Sequence, residues 1–174
     1  QCVFCNQKKI TGWNEPVDVS LLPQKINEYP KTDTSDNPAQ IAFYGGSFTA
    51  LPRDTQKSFL NAARPFIRSG RIKGIRLSTR PDCISREILD LLCEYDVETI
   101  ELGAQSMDDR VLALSGRGHT GADTVNATTL LRVYSFTFGL QLMPGLPGDS
   151  ALGFLDTVNE TIALKPDFVR LYPA

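Results

Sequence analysis

Short apolar runs alternate with amphipathic segments along most of this chain. The apolar runs occupy residues 41–46, 74–80, 98–106, 137–145 and 167–173. The amphipathic segments predict helices near residues 17–29, 53–69, 85–95, 120–134 and 150–164. Ser85 is positioned to cap the third of these helices, and Asp149 the last. The pattern therefore predicts repeated strand–helix units.

Strands that alternate with helices of this length indicate βαβ units and a parallel sheet. No glycine-rich dinucleotide-binding fingerprint follows the first strand, which favours a barrel over a Rossmann domain. We expect strands at 41–44, 75–79, 98–103, 138–143 and 167–172 to form one parallel sheet in that spatial order. The predicted fold class is α/β: a partial (βα)6 barrel of the TIM type, truncated before strand 1 and after strand 6, with residues 1–174 as one domain.

Composition narrows the class of protein without identifying it. Hydrophobic residues make up 41% of the chain and charged residues 22%, as in an ordinary soluble domain. No apolar run reaches the roughly 18 residues of a transmembrane helix, and the net charge of −2 argues against an autonomous nucleic-acid binder. The stretch 64–76 carries five basic residues and no acid, which indicates a solvated face or, as the alternative, a contact with RNA.

The chain has four cysteines, at Cys2, Cys5, Cys83 and Cys93. The regular strand–helix pattern is unlike a disulfide scaffold, so a reducing, cytoplasmic compartment is expected. Cys83 and Cys93 are interpreted as small core residues. The first two cysteines are not followed by the second pair that a zinc ribbon needs, nor by the helix that a thioredoxin-type redox pair opens. By spacing alone, a metal cluster and an incidental pair are both open interpretations.

Polar and glycine residues follow the predicted strands at the end where parallel barrels carry their active sites. The first strand is followed by YGGS, the second by STRPD, the third by GAQS and the fourth by LMPGLPGD. A Gly-Gly pair admits close approach of a ligand to the backbone, although a tight turn would use it equally. Arg80 would face solvent, an acid or a ligand carboxylate, and Gln105 with Arg117 could bracket a polar ligand. His119, the only histidine, is interpreted as structural.

These motifs, in this order, resemble those of the radical S-adenosylmethionine (radical SAM) superfamily. The segment CVFCNQ resembles the end of a Cys-x3-Cys-x2-Cys loop, whose three thiolates hold a 4Fe–4S cluster and leave one iron open for the cofactor. The resemblance implies that Cys2 and Cys5 are two of the metal ligands. The first ligand would precede Gln1, so the sequence is expected to be a fragment of the radical SAM core that assembles little cluster by itself.

The same resemblance implies a binding site for S-adenosylmethionine at the strand ends. In the superfamily a Gly-Gly motif binds the methionine amino group, and Ser47 stands here in place of the commoner glutamate. Ser78 matches a position that contacts the ribose or the amino-acid part, while Gln141 and Met143 would face the adenine and ribose. The expected cofactor-binding residues are Gly45, Gly46, Ser47, Ser78, Arg80, Gln105, Arg117, Gln141 and Met143.

The chemistry implied is reductive cleavage of S-adenosylmethionine to methionine and a 5′-deoxyadenosyl radical, with an electron donor to reduce the cluster. The chain looks most like the bacterial proteins related to the Elongator catalytic subunit. That likeness implies modification of a tRNA wobble uridine, with the tRNA held through parts outside this sequence, and it does not extend to acetyl transfer. The Gln–Arg–His spacing also resembles that of the oxygen-independent coproporphyrinogen oxidases, so a porphyrinogen-type or other small-molecule radical enzyme is the alternative. A non-catalytic metal-binding barrel is the third hypothesis.

Overall fold

Five parallel strands form the centre of the molecule, in a computed structural model that describes residues 2–3, 18–28 and 39–174. The strands are β1 (Gln40–Phe43), β2 (Gly74–Thr79), β3 (Val97–Gln105), β4 (Thr137–Leu142) and β5 (Phe168–Leu171). Each strand pairs with the next one along the chain, so the spatial order is β1-β2-β3-β4-β5. The predicted parallel sheet and its order are confirmed. An order that never doubles back is that of a partial barrel rather than a doubly wound sheet.

Helices alternate with the strands, and four of them pack against one face of the sheet. Leu22–Glu28 forms α1, directly after a 3-10 turn at Val19–Leu21. The other helices are α2 (Arg53–Arg68), α3 (Arg86–Glu94), α4 (Asp109–Leu114), α5 (Gly121–Val133) and α6 (Ala151–Ala163). The four predictions from residue 53 onward are confirmed to within one residue at each end, whereas Val17 and Tyr29 of the first predicted helix lie outside the described residues. No helix of the described part is long and apolar enough to cross a membrane.

Side-chain caps mark where several of the helices begin, and for two of these helices the sequence predicts a capping residue. Ser85 Oγ accepts a hydrogen bond from the amide of Ile88 at 3.3 Å, as the sequence predicts for α3. The prediction that Asp149 caps α6 is wrong by one residue. Ser150 Oγ accepts from the amide of Gly153 at 3.0 Å, and Asp149 instead accepts from the amide of Ser150. Each cap satisfies an amide of the first helical turn that has no partner within the helix.

The sheet has two unlike faces, because successive side chains along a strand point to opposite sides. One face and the helices enclose the hydrophobic core, in which the fully buried strand residues include Ile75, Leu77, Ile100, Leu102, Leu140 and Leu142. The intervening positions are polar or small: Arg76 and Ser78 on β2, Glu101 and Gly103 on β3, Gly139 and Gln141 on β4, and Arg170 on β5. The inside of the partial barrel is therefore polar.

Candidate functional site

A cleft of about 580 Å³ opens at the carboxyl ends of the strands. The predicted site residues that line it are Cys2, Gly45, Gly46, Ser47, Ser78, Arg80, Gln105, Arg117 and Gln141. The cleft is also lined by residues that are not among the predicted site residues, namely Tyr44, Thr79, Glu101, Gly103, Arg170 and Tyr172. Because parallel strands end at the same edge of the sheet, residues far apart in the sequence meet here.

The turn after β1 leaves its backbone open to the cleft. Gly45 has a φ of +102°, in the left-handed region that favours glycine. A Cβ added at Gly45 or Gly46 would meet no atom of the described residues within 4 Å. Ser78 Oγ donates a hydrogen bond to the carbonyl of Gly46 at 3.2 Å, which holds the turn against the end of β2. A ligand can therefore approach this backbone closely.

Arg80 is already paired with an acid. Its Nε donates to Asp82 Oδ1 at 3.0 Å, and its Nη2 donates to Asp82 Oδ2 at 2.5 Å. These hydrogen bonds raise the pKa of Arg80. The sequence predicts that Arg80 faces solvent, an acid or a ligand carboxylate. In the structure it faces an acid, Asp82. Because Asp82 balances its charge, Arg80 attracts an anionic ligand less strongly than an unpaired arginine would.

Arg117 forms no salt bridge with any residue that the structure describes. Its Nη2 donates to the carbonyl of Gly103 at 2.5 Å, and its Nη1 donates to Cys2 Sγ at 3.4 Å. Its Nε is buried and has no hydrogen-bond partner in the described part. A partly buried guanidinium without a carboxylate favours the binding of an anion beside it.

Gln105 and Gln141 lie together next to Arg117. Gln141 Nε2 donates to Gln105 Oε1 at 3.4 Å. Gln105 ends β3 with a φ of +70°, at a point where the register between β3 and β4 shifts. A Cβ at Gly103 would lie 2.8 Å from Gln105 Nε2 and 3.3 Å from Arg117 Nη2. Glycine at position 103 therefore provides the space in which these two side chains meet.

The three cysteines that the structure describes lie in different places. Cys2 is half-buried and lines the cleft, while Cys5 lies outside the described residues. The interpretation of Cys83 and Cys93 as core residues is wrong for Cys93, which is exposed, because it follows the buried Leu91 and Leu92 on the outer side of α3. Cys83 is half-buried, and burial raises the pKa of its thiol. The described residues contain no group of three or more side chains able to hold a metal ion.

Met143 and His119 both contact the end of β3. The amide of Met143 donates to the carbonyl of Gln105 at 2.9 Å, and Met143 is not among the residues that line the cleft. His119 is buried, with Nε2 3.0 Å from the carbonyl oxygen of Ala104. Burial lowers the pKa of His119, and the positive charge of Arg117 lowers it further. This geometry agrees with a structural interpretation of His119.

The motifs do not reveal the most heavily paired side chain of the cleft. Glu101 on β3 accepts hydrogen bonds from Tyr44 and Arg76 and forms a salt bridge with Arg170. Burial and the bond to Glu101 raise the pKa of Tyr44 to about 12. A signal for this group exists in the sequence, because Arg76, Glu101 and Arg170 each interrupt an apolar predicted strand. Single charges within such strands mark the inner face of the barrel.

Comparison with known proteins identifies the family. The family model described as the Radical SAM superfamily matches residues 1–160. The chain belongs to the radical SAM superfamily. The resemblance found in the sequence motifs is confirmed.

The curated relatives of this radical SAM chain include one named for tRNA modification and one named for heme. The tRNA uridine(34) acetyltransferase of Dehalococcoides mccartyi is 36% identical over 106 residues, which cover 59% of this chain and 23% of that protein. The heme chaperone HemW of Bacillus subtilis is 27% identical over 176 residues, which cover 98% of this chain and 46% of that protein. Across the first curated relatives, the chain spans between 23% and 55% of their length.

Solved structures share the fold of this radical SAM chain. The archaeal Elp3 of Methanocaldococcus infernus has a TM-score of 0.75 and 26% identity, with 90% of this chain and 41% of that one covered. Coproporphyrinogen III oxidase (HemN) of Escherichia coli has a TM-score of 0.72 and 19% identity, with 99% and 41% covered. The predicted α/β fold class, a partial barrel of parallel strands, is confirmed.

Proposed function

We propose that this radical SAM chain binds S-adenosylmethionine in the cleft, beside a 4Fe–4S cluster for which Cys2 and Cys5 are two of three ligands. The observation that carries the proposal is the convergence of the Gly45–Gly46 turn, Arg117 and Cys2 on one cleft. These residues are distant in the sequence, and all lie within the match to the superfamily.

The residues of the cleft fit the chemical groups of S-adenosylmethionine. Arg117 lacks an acidic partner in the described part of the chain, so its guanidinium suits the cofactor's carboxylate. The open backbone at Gly45–Gly46 suits the ammonium group, which needs oxygen acceptors. Ser78, Gln105 and Gln141 offer hydrogen bonds to the ribose hydroxyls and the adenine edge.

When bound, the cluster and S-adenosylmethionine would supply the electron and the 5′-deoxyadenosyl radical. The residues of the chain bind, orient and shield them. Arg117 lies between the proposed cluster site and the proposed cofactor site. Its guanidinium donates hydrogen bonds to Cys2 Sγ and to the carbonyl of Gly103 on β3. Met143 would act through the backbone bond that holds Gln105. An external electron donor would be a partner of the protein.

The proposed substrate is the wobble uridine of tRNA. Support comes from the tRNA uridine(34) acetyltransferase relative at 36% identity and from the Elp3 structure at 26% identity. Because this chain covers 23% and 41% of those two proteins, most contacts with tRNA would be made by parts outside this sequence.

Two substitutions in the cleft test the binding of S-adenosylmethionine. Arg117→Ala should weaken it roughly tenfold or more, because a charge-assisted contact of about 1.5–3 kcal/mol is lost. Gly46→Ala should weaken it as well, since the added Cβ meets no described protein atom within 4 Å and would occupy ligand space. Arg86→Gln, which removes an exposed arginine of α3, is the matched control. Calorimetry that finds unchanged affinity in both cleft variants would contradict the proposed site.

A porphyrin-type substrate is the second candidate. It is favoured by the HemW relative, whose alignment covers 98% of this chain. Filter binding of tRNA and absorbance titration with haem and coproporphyrin, both with the full-length protein, separate the two candidates. Retention of tRNA without a change in the porphyrin spectrum favours the uridine, and the reverse result favours the porphyrin.

A further inference from the structure

A second charged group borders the cleft and contains none of the residues proposed for the cofactor. It consists of Tyr44, Arg76, Glu101 and Arg170, and we call it the Glu101 cluster. The side chain of Glu101 is only 6% exposed. Its Oε1 accepts hydrogen bonds from Arg76 Nη2 at 2.7 Å and from the hydroxyl of Tyr44. Its Oε2 lies 3.0 Å from Arg170 Nε in a salt bridge. The carboxylate is therefore fully engaged by side chains from three parts of the barrel.

The Glu101 cluster carries an excess of positive charge. Two guanidinium groups share the one carboxylate of Glu101. Tyr44 adds no negative charge, because its pKa of about 12 keeps the phenol protonated at neutral pH. One positive charge of the cluster is left without a counter-charge inside it. In a partly buried cleft, where screening by water is reduced, such an excess attracts an anion.

Arg170 is the arginine of the cluster that faces the cleft. Its side chain is 39% exposed and lines the cleft, whereas Arg76 is not among the lining residues. The guanidinium is held at two points, by Glu101 at Nε and by the hydroxyl of Tyr172, 3.4 Å from Nη1. Its Nη2 has no hydrogen-bond partner among the residues described. A guanidinium that is oriented in advance and retains a free N–H group is suited to an oxyanion.

The ring of Phe168 packs against Arg76 and Arg170 and helps to hold the orientation of Arg170. The guanidinium carbons of Arg76 and Arg170 lie 5.6 and 6.0 Å from the centroid of the Phe168 ring. A Cβ on Gly139 would overlap this ring, so glycine at that position leaves the space that the ring fills. The ring in turn limits where the two arginines can move, which lowers the entropy lost when a ligand binds.

We propose that Arg170 binds a phosphate or carboxylate group of the substrate, in a subsite of the cleft separate from that of S-adenosylmethionine. The inference rests on the proposed function, which assigns Arg117 to the cofactor's carboxylate and leaves Arg170 for a second ligand. Glu101 is a positioning residue in this subsite, because it acts through Arg170.

Matched pairs of charged and neutral probes test the subsite. Uridine 5′-monophosphate is compared with uridine, and glutarate with glutaramide, by calorimetry with and without S-adenosylmethionine. The unaltered protein should bind the charged member of at least one pair roughly tenfold more tightly. Arg170→Gln should remove that preference, and Arg86→Gln, which changes an exposed arginine of α3, should keep it. The pair that shows the preference identifies the anion as a phosphate or a carboxylate.

Binding of S-adenosylmethionine separates a failure of the subsite from a failure of the proposed function. Arg170→Gln should bind the cofactor as the unaltered protein does. If it loses the cofactor too, Arg170 belongs to the cofactor site, and the separate subsite is overturned. Equal binding of charged and neutral probes by the unaltered protein, or a preference that survives Arg170→Gln, also overturns the subsite. A protein that prefers the charged probe but does not bind the cofactor would contradict the proposed function alone.

A second variant covers the case in which Arg170→Gln fails to fold, as judged by circular dichroism. Arg170→Lys keeps the charge but lacks the planar group that reaches Glu101 and a ligand at once. It should reduce the preference for the charged probe severalfold. An unchanged preference in Arg170→Lys would overturn the role of Arg170.

Discussion

Single residues decide how much of the cleft is available to a ligand. Arg80 directly follows β2 and Arg117 follows α4, and the sequence predicts that both bind the cofactor. In the structure Asp82 pairs with Arg80 through two hydrogen bonds, whereas Arg117 bonds a carbonyl and a thiol. A guanidinium paired with a carboxylate has little net charge to offer, so the two arginines have different uses.

His119 predicts a pH dependence of stability. Its pKa lies below the ordinary value of 6.5, because burial disfavours the charged imidazole and Arg117 adds to that effect. Below about pH 6.5 the unfolded chain binds a proton that the folded chain does not, so the folded state loses stability as the pH falls. Above that pH this contribution is fully present.

Urea denaturation between about pH 7.5 and 5.5 measures this effect. The free energy of unfolding should fall more steeply in the unaltered protein than in His119→Gln. His119 is the only histidine, so the difference between the two curves in this pH range reports on this imidazole. Parallel curves would show that His119 titrates alike in both states.

Among the elements, β4 and β5 pack closely because a glycine on β4 leaves room for an aromatic ring on β5. Gly139 pairs with Phe168 in the register of the two strands, and a Cβ at Gly139 would overlap the ring. Gly139→Ala should therefore destabilise the protein by about 1–3 kcal/mol in urea denaturation, as overpacking does in closely packed interiors. Gly46→Ala is the control, with an expected change within about 0.5 kcal/mol, because its Cβ meets no described atom within 4 Å. Equal losses in the two variants would refute the packing explanation.

The start of α3 depends on one hydroxyl. Ser85 Oγ accepts from the amide of Ile88, so Ser85→Ala should lower the free energy of unfolding by about 1 kcal/mol. Ser58→Ala, on the exposed side of α2, is the matched control and should change it by less than about 0.5 kcal/mol. Thermal and urea denaturation measure both. A loss in Ser58→Ala as large as that in Ser85→Ala would remove the capping explanation.

For the whole molecule, Cys2 and Val3 contact the segment between α4 and α5. The amide of Val3 donates to the carbonyl of Ser115 at 3.1 Å, and Arg117 contacts the thiol of Cys2. These contacts bring Cys2 to the strand ends, where parallel barrels carry their active sites.

The proposed iron–sulfur cluster predicts which cysteines are needed to bind iron. With the Cys-x3-Cys-x2-Cys motif completed ahead of Cys2, anaerobic reconstitution should load about four irons per chain. Cys2→Ala and Cys5→Ala should abolish iron binding and the formation of 5′-deoxyadenosine, because thiolates hold the irons. Cys83→Ala and Cys93→Ala are matched controls that should retain both. Iron and sulfide analysis of each variant measures cluster loading. Loss of iron in Cys83→Ala or Cys93→Ala would refute the assignment of Cys2 and Cys5 as cluster ligands.

The strands, the helices other than α4 and the order of these elements follow from the sequence by itself. Apolar runs broken by amphipathic segments predict β2, α3 and the one-way sheet, because each element depends on the periodicity of neighbouring residues. The strand-end motifs predict most of the residues that line the cleft, since parallel strands carry their carboxyl ends to one edge.

Only the tertiary structure decided which polar side chains meet. Glu101 is engaged by Arg76 and Arg170, which lie on other strands, and its partners depend on strand register and the curvature of the sheet. From the sequence, Arg76 belongs to a basic stretch that indicates a solvated face, whereas in the structure it points into the barrel and pairs with an acid. Local periodicity shows which face of an element is buried. The pairing of charges across the barrel depends on distances that exist only once the sheet has formed.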